Sequence, residues 1–128
     1  LRGGALIQEQ QIKEELDKIN NYLRRNPFFY LEISDFSRWE LNLVGGKSLT
    51  YAHELRIIFK EVSFVSLPMD WEVDVSALGI ALAEGKEECE INLKYQIEIG
   101  NYIFKLFPKG YDDKIEFIII AKEVFASF

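Results

Sequence analysis

A chain of 128 residues with 48% hydrophobic and 14% aromatic side chains has the length and apolar content for one domain with its own core, without a disulfide or metal staple. Fifteen basic against 21 acidic residues leave a net charge of −6, which argues against nucleic-acid binding, because neutralising phosphates needs a basic face. The same charge permits a basic protein partner, whose encounter it would speed.

The chain opens Leu1-Arg2-Gly3-Gly4, which resembles the tail of ubiquitin over those four residues. The expectation is a tag or fusion remnant at 1–4 and a single domain over 5–128. Residues 5–25 predict an amphipathic helix: Ala5, Ile12, Leu16, Ile19 and Leu23 form one stripe at a period of 3.6. Glu9 with Lys13 and Glu14 with Lys18 are i,i+4 pairs in the favourable order, and Arg24 and Arg25 suit the negative end of the helix dipole. Asn26-Pro27 ends it, since proline biases the residue before it away from helix.

The period then falls to two. Phe29, Leu31 and Ile33 share a face, Asp35-Phe36-Ser37 reads as a turn, and Trp39, Leu41 and Leu43 point inward on a second strand. Gly45-Gly46-Lys47-Ser48 reads as a loop. Leu55, Ile57 and Phe59 alternate inward, but at Lys60-Glu61 the parity changes to Val62 and Phe64. A one-residue slip reverses every side chain, so the segment is a hairpin or one long strand with a bulge; the lack of Gly or Asn there favours the bulge. Leu67-Pro68 ends it, and Trp71, Val73 and Val75 begin another strand with Asp70, Glu72 and Asp74 opposite. Residues 76–88 are compatible with a short helix or a loop.

The last third predicts a half-buried strand, with Cys89, Ile91, Leu93, Tyr95, Ile97 and Ile99 on its apolar phase. Gly100-Asn101 then reads as a hairpin turn that pairs Ile99 with Tyr102, Ile97 with Phe104 and Tyr95 with Leu106. After a turn at "PKGYDD", residues 117–121 are apolar throughout, as in a strand buried on both faces, with the N-terminal helix as the available cover. The expected class is α+β: an N-terminal amphipathic helix packed on one curved antiparallel sheet of about six or seven strands.

Catalytic motifs are weak. "GGKS" has the end of a phosphate-binding loop, but Leu41 occupies the place of its first glycine and a strand follows. His53-Glu54 begins like a zinc-protease motif, yet His53 is the only histidine. Cys89 on a buried strand phase acts as a small hydrophobe rather than as a nucleophile paired with His53. No metal or cofactor is therefore expected, and no enzyme activity. A single cysteine points to a reducing, cytoplasmic setting, and no apolar run approaches the ~20 residues of a membrane helix. Residues 1–25, charged throughout, do not read as a signal peptide.

What remains is a binding surface. Met69 and Trp71 flank Asp70 just after Pro68, in an acidic surround that reads as an interaction patch. The expected contacts are Met69, Asp70, Trp71 and Glu72, with Glu84 and Glu87 as a charged rim. The alternative is a small-molecule-binding protein or an unfamiliar enzyme with a pocket between helix and sheet, whose inward polar lining would come from Cys89 and Tyr95. The chain could also pair with a second copy through "VFASF" at the C-terminal edge, so both monomer and homodimer stay open.

"FYLEISDFSRWELNL", "LTYAHELRIIFKEVSFVSLP" and "FIIIAKEV" together resemble, across residues 28–125, a group of small bacterial α+β proteins. That likeness implies a fold and no activity. In size, acidity and architecture the chain is also similar to toxin-neutralising immunity proteins, which implies a protein partner and no chemistry.

Overall fold

A computed structural model describes residues 2–47, 53–74 and 78–128, with side-chain surroundings from residue 7 onward. The elements in chain order are α1 (Arg2–Arg25), β1 (Tyr30–Ser37), β2 (Glu40–Gly46), β3 (Leu55–Lys60), β4 (Phe64–Ser66), β5 (Asp70–Glu72), β6 (Ile80–Leu82), α2 (Gly85–Tyr95), β7 (Tyr102–Leu106), β8 (Ile118–Ala121) and β9 (Glu123–Ser127). The α+β class holds, and every strand pairing is antiparallel. The single sheet of six or seven strands does not hold. The strands form two sheets, a five-stranded one in the order β5-β1-β2-β3-β9 and a four-stranded one in the order β4-β8-β7-β6.

The two sheets face each other. Leu41, Leu43, Ile57 and Phe59 of the larger sheet share one core with Phe104, Leu106 and Ile119 of the smaller. Phe59 and Phe104 meet edge to face across it, with ring centroids 5.1 Å apart. Strands cross from one sheet to the other at a corner, a route available where packed sheets are joined by bends or bulges. Register runs Phe59↔Val124 and Lys60↔Glu123, then resumes at Phe64↔Ile120. Between these, Lys122 N–H donates to the Lys60 carbonyl and Ser63 N–H to the Ile120 carbonyl. The parity change at Lys60-Glu61 is thus a bend in a continuing ladder, with Glu61 at φ 54°. The segment is neither a hairpin nor one long bulged strand: β3 and β4 are separate strands in different sheets, joined by the bend at 61–63.

Helix α1 buries its predicted stripe of Ile12, Leu16, Ile19 and Leu23. It does not lie on a sheet face. It lies beside β9 and β6, the edge strands of the two sheets, and closes the gap between them. Its polar side chains satisfy the edges: Gln8 Nε2 donates to the Lys122 carbonyl (2.8 Å), and the Ala126 N–H donates to Glu15 Oε1 (3.2 Å). Covering an edge in this way prevents strand addition by another chain. The C-terminal "VFASF" edge is therefore occupied by α1. Lys13 does pair with Glu9 (3.8 Å), but Lys18 meets Glu15 (2.7 Å) rather than Glu14.

β1 and β2 form the expected hairpin, with a different tip. Residues 35–37 stay in the strand, past an irregularity between Ile33 and Asp35, and the turn falls on Arg38 and Trp39. Both have positive φ, 52° and 66°, the backbone of a two-residue turn that suits the strand twist. Trp39 is therefore 71% exposed instead of facing inward. The "GGKS" glycines lie in β2: a Cβ on Gly45 would come within 2.6 Å of the Tyr30 carbonyl. Ser48 lies outside the described residues.

The largest correction concerns the strand expected over 88–99. Residues 88–95 belong to α2, residues 96–101 link it to β7, and Gly100 (φ 98°) lies in that link rather than in a hairpin turn. β7 instead pairs with β6 and β8, for example Phe104 with Leu82 and Ile119. β8 is buried on both faces, as expected. Ile119 and Ala121 face the main core, while Ile118 and Ile120 pack under α2 with Ile91, Ile103 and Ala83. The cover on the second face is α2, not α1. A helix forms here because one stripe, Glu88, Ile91, Asn92 and Tyr95, is at least half-buried at a period of 3.6. Glu87 and Glu88 in its first turn and Lys94 in its last also complement the dipole. Cys89 is left exposed, contrary to the buried strand position expected for it.

Candidate functional site

β5 is an edge strand beside β1, so its side chains alternate between core and solvent. Trp71 and Val73 enter the core, each 4% exposed, and Asp70, Glu72 and Asp74 take the other side. Trp71 thus offers no ring to a partner and anchors the strand from beneath. Met69, one residue before the strand, is 68% exposed.

Asp70 stands directly opposite Glu32 of β1. The flanking bonds, Ile33 N–H to the Met69 carbonyl and Val73 N–H to the Phe29 carbonyl (both 2.9 Å), make 32/70 a non-hydrogen-bonded pair. Side chains come closest at such pairs, and like charges there repel. Glu32 is shared with His53, whose Nε2 lies 3.0 Å from Oε1. Asp70 has no ion pair or side-chain hydrogen bond among the described residues. Glu72 reaches Lys109 Nζ at 3.6 Å, and Lys109 N–H bonds the Glu72 carbonyl. The acidic row of β5 is in this way tied to the loop after β7.

That loop shapes a cleft of about 380 Å³ against α2. Its carboxylates are Asp74, Glu87, Asp112, Asp113 and Glu116, and Lys105 is the cation that lines it. Beneath them lie the half-buried rings of Phe107 and Phe117, with Tyr111 set edge to face on Phe117 at 4.9 Å. Two of the carboxylates are neutralised internally. Glu87 pairs with Lys105 (2.7 Å), and Glu116 takes Lys94 (2.5 Å) and the Tyr95 hydroxyl (3.2 Å). The Lys94 hydrogen bond, working against partial burial, holds the Glu116 carboxyl below its ordinary range, and Glu116 in turn raises Lys94. Asp112 Oδ1 accepts the Lys114 N–H (2.8 Å) and fixes the loop. Asp74 is engaged within the fold. Among the described residues, no three His, Cys, Asp or Glu side chains converge as a metal-binding group, so the carboxylates ring the cleft rather than meet at a point.

Of the expected contacts, Met69, Asp70 and Glu72 adjoin one another, and Glu87 lines the cleft. Glu84 is set apart: it bonds Lys13 of α1 (3.1 Å) and does not line the cleft. The loop residues Phe107, Tyr111, Asp112 and Asp113 were hidden in what reads as a plain turn; the only sequence signal was two aromatics beside two aspartates. His53 and Cys89 do not form a pair, since His53 bonds Glu32 at the start of β3 and Cys89 lies on the exposed side of α2. The space between helix and sheet is a groove of about 300 Å³ between α1 and β9, lined by Gln8, Gln11, Glu14, Glu15 and Lys18 among others. Neither Cys89 nor Tyr95 lines it.

Among the described residues no helix is long and apolar enough to cross a membrane. No family model matches the chain, and no curated protein or solved structure matches it.

Proposed function

We propose that this chain is a non-enzymatic protein-binding module, of the immunity or anti-effector type, that engages a basic partner through the acidic row of β5 and the adjoining cleft. The observation that carries this reading is the Asp70–Glu32 opposition on an edge strand. Two carboxylates occupy opposed strand positions; His53 engages Glu32, and Asp70 is left unpaired among the described residues. A partner cation at Asp70 would offset the like charge opposite it and add a charge-assisted hydrogen bond. Exposed Met69 at the end of the row supplies apolar contact of the kind that adapts to a partner. The overall charge of −6 would steer such a partner in.

The test is binding of a fluorescent, lysine- and arginine-rich peptide, followed by anisotropy at several salt concentrations. The expected result is salt-sensitive binding that Asp70→Lys weakens by about tenfold or more, as removal of a charged contact does. Equal binding by wild type and Asp70→Lys would overturn the reading. Small-molecule binding is the second reading, and the α1–β9 groove favours it; saturable thermal stabilisation by one class of metabolite would promote it.

A further inference from the structure

We infer that His53 is a proton-operated control on the acidic row, loosening its hold on a basic partner as pH falls. This rests on the acidic row being the binding surface, and it goes further by naming what regulates it. His53 is the only histidine of the chain, and its Nε2 lies 3.0 Å from Oε1 of Glu32. Glu32 in turn stands opposite Asp70, at a non-hydrogen-bonded pair, where side chains come closest. With the imidazole neutral, Glu32 keeps its full charge, and a partner cation at Asp70 meets two negative groups. With the imidazole protonated, Glu32 is already neutralised by a charge-assisted bond, and the cation meets one.

The neighbouring charges are fixed or spent elsewhere. The registers Glu32↔Val44 and Val44↔Arg56 put Arg56 in the same cross-strand row, but its guanidinium bonds Asn42 Oδ1 at 3.2 Å. Tyr30 and Glu72 form the next pair along β1 and β5, and Lys109 serves Glu72 at 3.6 Å. Lys47 follows β2, and Glu54, beside His53 in the chain, donates its N–H to the Gly45 carbonyl. From α1, Tyr22 feels the charges of Glu54 and Arg25. Carboxylates, tyrosine, lysine and arginine ordinarily titrate outside the interval from about pH 5.5 to about pH 7.5, and histidine inside it. The proton on His53 is thus the charge that can change on this face within that interval. The imidazole is 43% exposed and can exchange its proton with water, while Glu32, at 30%, is partly shielded. Coupling of this kind is reciprocal: a cation held at Asp70 disfavours the proton on His53, so binding expels it.

The experiment measures binding of the lysine- and arginine-rich peptide, with blocked ends, to the full chain at about pH 5.5 and about pH 7.5 and one ionic strength. Wild type and His53→Gln are compared. Wild-type affinity should be about three- to fivefold lower at the acid end, the size of one partly exposed charge contact. His53→Gln, a polar replacement at an exposed position, should bind equally at both. Calorimetry within the interval, in two buffers of different ionisation enthalpy, should show proton release on binding to wild type and none with His53→Gln. The same pH dependence in both chains, or proton uptake on binding, would overturn the control by His53. If Asp70→Lys still weakens the peptide in that case, this control alone falls. If no binding is sensitive to Asp70→Lys at either pH, the acidic surface falls and the control with it.

Discussion

Asn20 of α1 bonds both backbone groups of Ile80 on β6: its Nδ2 donates to the Ile80 carbonyl (2.8 Å), and its Oδ1 accepts the Ile80 N–H (3.0 Å). One side-chain amide thus does what a neighbouring strand would do for that residue. Asn20 is itself buried, so its own polar atoms depend on the same two bonds. This explains a polar residue inside the helix stripe, and it fixes α1 against the edge of the smaller sheet.

Asn20→Ala should therefore destabilise the chain by about 2–4 kcal/mol, since two buried backbone groups lose their partners together. Urea unfolding followed by circular dichroism measures it. A loss below about 0.5 kcal/mol, the range of an ordinary surface change, would mean that water replaces the amide.

The Arg38-Trp39 turn points the other way. Both residues adopt positive φ, where glycine and asparagine are at ease and tryptophan is not. Trp39 buries little surface in return. Replacing the pair with Asn-Gly should stabilise the chain by about 1 kcal/mol, the cost of such backbone strain less the entropy glycine brings. A fall in melting temperature would show that the indole packs more than its exposure implies.

The two tryptophans differ enough to be told apart. Acrylamide should quench the fluorescence of Trp39 strongly and that of Trp71 weakly, because only Trp39 is exposed. Trp39→Phe should leave a blue-shifted, poorly quenched emission. A freely quenched signal from that variant would contradict the burial of Trp71 and with it the placement of β5.

Much of this fold was legible because alternation is a direct consequence of strand geometry. Leu41, Leu43, Leu55, Ile57 and Phe59 all face the core as their spacing predicts. The α2 segment was not legible. Cys89, Ile91, Leu93, Tyr95, Ile97 and Ile99 alternate cleanly, yet Leu93 and Ile99 lie exposed, and only the cover needed over Ile103, Ile118 and Ile120 decides for a helix. That demand is tertiary, and a local period cannot register it. The division into two sheets was hidden for a related reason. Bends at Glu61 and Lys122 redirect strands without any glycine to mark them. As for the site, Asp70 and Glu72 could be read from parity, whereas the cleft depends on a loop whose return to β5 no spacing reveals.

Acid should reveal the Glu116–Lys94 contact. The Glu116 carboxyl is lowered in the folded state, chiefly by the Lys94 hydrogen bond. Its contribution to stability is thus fully present above the unfolded carboxyl value and is lost as pH falls through the lower folded value. Lys94 is raised, so its share persists below the ordinary lysine value and is lost only as pH rises through the raised one. Glu116→Gln should flatten the acid limb of stability between about pH 5 and pH 2. An unchanged acid limb would mean that the contact is solvated away.

Cys89 should behave as a surface thiol. In native buffer, one equivalent per chain should react with a disulfide reagent as readily as in urea, because α2 leaves it exposed. Protection that disappears only on unfolding would restore the buried strand and remove α2.

If partners sit on the acidic row and its cleft, a bound basic peptide should cover both. Amide hydrogen exchange of the chain, free and saturated with that peptide, reads this out. Slowed exchange confined to residues 69–74 and 105–117 is predicted. Slowed exchange at the α1–β9 groove or at the Trp39 turn, with residues 69–74 unchanged, would contradict it.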